Sequence, residues 1–350
     1  MPDPLRHVRA LAGPRESAGP GEAAAARYIA EAARAYTHQV WMEPFTSFLS
    51  PLLAFLPILG LSLLGVLCLL FSPHLAAFLT VVAAVLYGGQ ALRWIELGWL
   101  FPKFASQNVV AVVPSTGVIR RRVILVAHID SPRGPDRLPW WCGAGVLLLP
   151  VCTALAAGTE QAAWAWAALA PGAAVALGLA FPHRALGVGS ATGAAVVLAA
   201  GEALARAPLK HTEVWTVFTG CREPGLAGLR FFLQAYGPML ADADFLVLDR
   251  IGDGQAVYAR AEAGFPVRSA DPDLVGMLGE LGVGNRPIPA RATQAALLLD
   301  EGHRAVSLLT SGSGQPTPRL LHEFVRILSA LGDAVDRDAS VEAPPEPGGM

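Results

Sequence analysis

The chain has 350 residues, of which 53% are hydrophobic and only 15% charged, against about 25% charged in ordinary soluble domains. Its net charge of -2, with no basic cluster, excludes nucleic acid as a partner. The four cysteines, Cys68, Cys142, Cys152 and Cys221, form no C-x-x-C pair, which excludes a zinc ribbon or a disulfide framework and leaves small core residues of a reduced protein.

The N-terminus, MPDPLRHVRALAGPRES, is polar and lacks the apolar core of a signal peptide. Gly19 to Tyr36 predicts a helix: Pro20 opens it, Glu22 suits the positive end of its dipole, and the alanines supply propensity. Ala24, Tyr28, Ile29 and Ala32 fall on one stripe. His38 to Phe45 predicts a short strand. Pro51 to Phe71 is uncharged and long enough to cross a hydrocarbon layer of about 30 Å. Ser72-Pro73-His74 turns the chain and Leu75 to Leu92 returns it. Arg93 to Phe104 then mixes Trp94 and Trp99 with Arg93 and Lys103, an interfacial composition.

Ser106 to Val113 predicts a strand and Ile119 to Ala127 the central one, whose end lies in the stretch Val123 to Pro132, VILVAHIDSP. A β-branched apolar run closed by Ser131-Pro132 is the pattern of a strand buried on both faces. His128 and Asp130, two apart at its carboxyl end, share a face. A second apolar hairpin follows, Leu138 to Gly158 and Ala162 to Phe181, with Thr159-Glu160-Gln161 between. Beyond it come a helix at Ala191 to Ala205, a strand at Thr212 to Thr219, a helix at Leu226 to Tyr236, strands at Ala243 to Leu248 and Ala305 to Leu309, and a helix at Pro318 to Val335. The Pro- and Glu-rich residues after about Asp338 predict disorder.

Alternating strands and helices predict a three-layer α/β fold with a mostly parallel mixed sheet, interrupted by two transmembrane hairpins. The segments are 1–50, 105–137 and 184–337 for the α/β domain, 51–104 and 138–183 for the hairpins, and 338–350 for the tail. Arg93, Lys103, Arg133, Arg137 and Arg184 flank the hairpins on one side, while the turns at 72–74 and 159–161 carry no Lys or Arg. The positive-inside rule then predicts an integral protein of a bacterial-type inner membrane with four helices and a cytoplasmic domain. Strands ending in polar residues at His128/Asp130, Arg222/Glu223 and Asp249 should meet on one sheet edge.

The α/β segments resemble the zinc aminopeptidase family that contains bacterial leucyl aminopeptidase, aminopeptidase Y and glutaminyl cyclase (zinc peptidase family 28). The resemblance rests on the Asn108-Val109-Val110-Ala111 strand, His128-Ile129-Asp130-Ser131, Leu248-Asp249-Arg250-Ile251-Gly252, and the turn Thr219 to Leu229, TGCREPGLAGL, which is similar to the family's T-G-x-E-E-x-G-L-x-G-S. It implies that His128, Glu223 and Asp249 stand at metal-ligand positions, and that Asp130 orients the histidine. Three family positions differ. Gly189 stands at the bridging aspartate, Arg222 at the general base, and Ser313 to Pro318 holds no histidine.

Catalytic zinc takes about three protein ligands and a water, and neither implied metal position keeps that number. Arg222 stays protonated and cannot act as the base; its guanidinium should pair with Glu223, Asp249 or Asp130 in place of a cation. The residues thus predict a membrane-anchored pseudo-peptidase with no metal or a single weakly held zinc, acting as a binding or scaffolding module for a peptide or protein partner. The alternative is an active metal-dependent aminopeptidase with a rebuilt site, for which His303 as a substitute ligand or Cys221 as a thiol nucleophile are candidates. A transporter component is a third reading, opposed by the near absence of ionisable residues in the spans.

Overall fold

The computed structural model describes residues 2–48, 51–92, 94–95, 97–131, 140–159, 162–179, 191–222, 225–249, 251–263, 266–289 and 293–341. The chain opens with helices α1 (Pro4–Ala10) and α2 (Pro20–Arg34) and strand β1 (Gln39–Ser47). Helices α3 (Leu56–Cys68) and α4 (Pro73–Ala91) form the first apolar hairpin, and strands β2 (Phe104–Val113) and β3 (Arg121–His128) follow. The second hairpin is α5 (Trp140–Thr159) with α6 (Ala162–Ala167) and α7 (Leu169–Leu179). Then come α8 (Ala191–Arg206), β4 (Thr212–Thr219), α9 (Ala227–Tyr236), β5 (Asp244–Leu248), β6 (Ala256–Ala259), β7 (Ala261–Glu262), β8 (Arg268–Ser269), α10 (Pro272–Glu280), β9 (Gly284–Arg286), α11 (Gln294–Asp300), β10 (Arg304–Thr310) and α12 (Pro318–Val341).

Eight of the strands form one mixed, mostly parallel sheet in the order β1-β2-β4-β3-β5-β10-β6-β9, while β7 and β8 pair separately. β3 lies at its centre, parallel to both β4 and β5. Its apolar run is buried on two faces, as its pattern predicts. Val123, Leu125 and Ala127 pack with α2, α8 and α12 on one face, and Ile124 and Val126 pack with α9 and α11 on the other. Each fully buried Leu or Ile there contributes about 1.5–3 kcal/mol relative to exposure.

Several boundaries differ from the periodicity. In α2 the buried positions are Glu22, Ala25, Ala26, Ile29, Ala30 and Ala33, so the stripe is rotated from the expected one and Ala24 is exposed. Glu22 is not a dipole-capping surface residue: its carboxylate is buried and bonded. The first apolar helix is shorter than 21 residues because a 3₁₀ turn, Pro51–Phe55, precedes it and Pro57 cannot donate to residue 53. The returning helical segment of the second hairpin breaks at Ala168, since Pro171 fits only the first turn of a new helix. The final helix runs on to Val341 rather than fraying near Asp338. The short elements between Ile251 and His303 leave no period long enough to be read from sequence.

The hairpins pack as one ring, α3 on α4, α4 on α5, α5 on α7 and α7 on α3. Among the described residues two helices, Pro73–Ala91 and Trp141–Thr159, are long and apolar enough to cross a membrane; the other apolar segments, Leu53–Cys68 and Ala163–Leu177, are shorter. Inside the ring Thr80 Oγ1 and Thr153 Oγ1 meet at 2.7 Å. Outside it Leu64, Leu67, Phe78, Val85, Leu148, Val151, Trp166 and Leu177 are exposed.

Candidate functional site

The site is assembled where β3, β4 and β5 end, and the turn after β4 is shaped by its own residues. Gly220 and Gly228 approach backbone so closely that a Cβ on either would lie 2.6 Å from the Gln107 carbonyl oxygen or 2.2 Å from that of Gly220. Cys221, Gly225 and Leu226 all take left-handed backbone conformations, with φ of 47°, 67° and 58°. Asn108 on β2 clamps the turn twice: its Nδ2 donates to Gly228 O at 2.9 Å and its Oδ1 accepts from Gly220 N at 3.1 Å. Two motif pieces far apart in sequence are thus one structural unit.

His128, the last residue of β3, is buried beside two carboxylates. Its Nδ1 lies 2.8 Å from the Asp130 carbonyl oxygen and 3.4 Å from Asp130 Oδ1, and its Nε2 lies 3.6 Å from Asp249 Oδ1. Burial pulls the histidine pKa down, but the bonds to Asp130 and Asp249 and the charge of Asp249 outweigh it and hold the pKa at about 9 against the charge of Arg222. Burial pushes the Asp130 carboxyl up; the bonds from His128 and Ser17 and the Arg222 N–H hold it below the usual range.

Arg222 points into the site. Its Nη2 donates to Asp249 Oδ2 at 2.7 Å, with the arginine side chain 13% exposed and the aspartate 1%. The expected pairing of the guanidinium with a site carboxylate is therefore observed at Asp249. Glu223 and Gly189 lie outside the described residues, as do Arg93, Arg133, Arg137, Arg184 and Glu160.

Further groups support these. Ser17 Oγ donates to Asp130 Oδ2 at 2.6 Å. Arg15 is buried against the same strand end: its Nε donates to Ile129 O at 2.7 Å, its backbone N–H to Ser131 Oγ at 2.9 Å, and its carbonyl accepts from Ser131 N at 2.7 Å. Glu22 accepts from Ser106 Oγ at 2.5 Å and from Cys221 N at 3.0 Å; burial and the Asp130 charge push its pKa up to about 7. Sequence reasoning missed Arg15, Ser17 and Glu22 as neighbours of the site. The one available signal was their polarity in a segment that must pack against an apolar strand.

Two rescue candidates are overturned. His303 precedes β10 at the opposite end of the sheet and packs on the Phe245 ring, 5.1 Å between centroids, so it cannot join His128. Cys221 is fully buried, and burial with the charges of Glu22 and Asp130 pushes its thiol up, so it stays protonated and is no nucleophile.

Among the described residues no group of three or more His, Cys, Asp or Glu side chains could hold a metal ion. Of the two described positions at which the resemblance implies ligands, His128 Nε2 faces Asp249 Oδ1 at 3.6 Å, while Asp249 Oδ2 already accepts from the Arg222 guanidinium at 2.7 Å. A protonated guanidinium and a divalent ion repel one another across one carboxylate.

No protein-family model matches the chain, and no curated protein matches it in sequence. Solved structures do match. An aminopeptidase from Aneurinibacillus sp. strain AM-1 aligns with a TM-score of 0.54 at 15% identity, over 95% of this chain and 92% of that one. The zinc aminopeptidase BSAP from Bacillus subtilis aligns with a TM-score of 0.54 at 11% identity, over 95% and 94%. A glutaminyl cyclase from an Acidobacteriales bacterium aligns with a TM-score of 0.52 at 13% identity, over 97% and 93%. The α/β domain therefore has the fold of the zinc aminopeptidases and glutaminyl cyclases.

Proposed function

We propose that this is a membrane-anchored pseudo-peptidase, a protein with an aminopeptidase-like domain that binds or scaffolds a peptide or protein partner and does not hydrolyse it. The observation that carries this reading is the Arg222–Asp249 pair at 2.7 Å. Metal-assisted hydrolysis needs a Lewis acid on the substrate carbonyl and a carboxylate to take the water's proton. Here a permanent cation stands at the position implied for that base, and it neutralises the carboxylate that a metal would need.

The exposed apolar residues around the helical ring support four membrane-spanning helices, because a soluble monomer rarely exposes more than a few hundred Å² of contiguous apolar surface. Lys103 and the other cations flanking the hairpins support a cytoplasmic domain.

The test is metal content after incubation of the detergent-purified protein with zinc, beside a His128→Ala control. The expected result is no stoichiometric zinc in either protein. One zinc per chain that disappears with His128 would overturn the reading in favour of an active aminopeptidase with a rebuilt site.

A further inference from the structure

The membrane hairpins do not leave the α/β domain at arbitrary places. The first departs at Ser47 and returns at Phe104, which are register partners at one end of the β1–β2 ladder. Since β2 runs antiparallel to β4, with Val109 opposite Phe218, that end lies beyond Thr219, on the edge where β4 delivers Cys221 and Arg222. Contacts agree: Glu22 accepts from both Ser106 Oγ on β2 at 2.5 Å and the Cys221 N–H after β4 at 3.0 Å. On either side of the second hairpin, Ser131 lies at the carboxyl end of β3 and Ala191 opens α8, where Thr192 Oγ1 donates to Ile251 O at 2.9 Å just beyond β5. The described residues that flank both hairpins in the α/β domain, Ser47, Phe104, Ser131 and Ala191, therefore lie on the sheet edge that carries His128, Arg222 and Asp249.

Lengths make this placement tight. Residues 48–50, between β1 and the first apolar helical turn, span about 11 Å at full extension. β3 is eight residues, so the opposite edge, with Asp244 and the loop of Val118, stands about 26 Å farther away at roughly 3.3 Å per residue. Between the returning helix α4 and β2 the chain exposes Trp94, Trp99, Leu100 and Phe104, with Lys103 beside them, side chains that favour the headgroup level of a bilayer.

We propose that the carboxyl edge of the sheet, with the arginine-closed site, docks against the lipid headgroup layer, and that its partner surface is the bilayer holding the helices. The inference rests on the membrane-anchored reading above. It goes beyond it by fixing which face of the domain meets the lipid. Anything that reaches the site then comes along the membrane and not from the bulk cytosol.

The test uses the full chain in nanodiscs without other proteins, with an environment-sensitive fluorophore placed at one position at a time as an encoded amino acid, so that the native cysteines stay. The positions are Phe78, 64% exposed on α4; Ser313, exposed on the site edge; and Val118, 71% exposed on the opposite edge. Ser313 follows β10, two strands away from β3, so it reports the tilt of the whole edge and not the tether alone. Nitroxide lipids labelled at the headgroup should quench Ser313 strongly and Val118 not at all, while acyl-chain nitroxides quench Phe78. If Phe78 is quenched but Ser313 is not, or Val118 is quenched as much as Ser313, the docking is overturned and the membrane anchor stands. If Phe78 is not quenched, both fall.

Discussion

Strand β5 has a buried aspartate at each end, and the two are held differently. Asp244, at its start, faces two guanidinium groups: Arg121 Nη2 at 3.0 Å and Arg304 Nε at 2.9 Å, with Asp271 and Asp273 farther out along Arg304. Burial nevertheless pushes the Asp244 carboxyl above the usual range, and the two arginines pull it back only in part. Asp249, just past the other end, faces a guanidinium and an imidazole among the described residues, Arg222 at 2.7 Å and His128 at 3.6 Å. The far edge thus shows what this fold does with a buried aspartate that has no chemistry to perform: it ties down neighbouring strands with arginine. The site edge uses the same device at Asp249. The difference that remains is the histidine, a partner whose charge depends on pH.

The largest way to break this comparison is to remove a guanidinium from each end. Arg222→Ala leaves Asp249 buried with only a titratable ring among the cations named above, and should cost about 3 kcal/mol, near the lower end for breaking a buried pair. Arg121→Ala leaves Asp244 with Arg304 and should cost about 1–2 kcal/mol. Urea midpoints of the detergent-solubilised variants decide between them. Equal losses would mean that His128 neutralises Asp249 as well as a second arginine does.

The next effect is carried by pH. The folded His128 pKa of about 9 lies above the usual value of about 6.5, so its contribution is fully present below about pH 6.5 and is lost as pH rises through 9. That shift amounts to about 3 kcal/mol. Stability should therefore fall from pH 6.5 to 9.5, and His128→Gln should flatten the slope. Glu22, with its pKa raised to about 7, loses stability at the lower edge of this window, so the comparison with His128→Gln is what isolates the histidine. A slope unchanged in His128→Gln would assign the dependence elsewhere.

How much of this was legible in the sequence follows from the length scale of each feature. β3 announced itself because burial on both faces demands an unbroken apolar run, and Thr212–Thr219, rich in β-branched and aromatic residues, was read to the residue. The convergence of His128, Arg222 and Asp249 was legible because parallel strands put all carboxyl ends on one edge. The β6–β9 region was not, because strands of two to four residues carry too few side chains to set a period. Nor was Glu22: a glutamate in a first helical turn looks like a dipole partner, and only the fold shows that Ser106 and the Cys221 N–H approach it from elements 84 and 199 residues away. The hairpins were legible as apolar segments, but where Pro57 and Pro171 would interrupt them was not.

The smallest expected effect bears most directly on what Arg222 is for. Arg222→Lys keeps a permanent cation beside Asp249 while removing the planar guanidinium. If the site needs only charge compensation, lysine should cost less than about 1 kcal/mol relative to the native chain, well short of the alanine variant. Its zinc content should stay at zero, because an ammonium repels a divalent cation as a guanidinium does. A lysine variant as unstable as Arg222→Ala would instead show that the fork geometry is needed, and that the guanidinium positions the Asp130 end of the site as well as neutralising Asp249. A lysine variant that takes up zinc would mean that the native arginine blocks the metal by shape and not by charge, and the likeness between the two ends of β5 would then stop at their bond lengths.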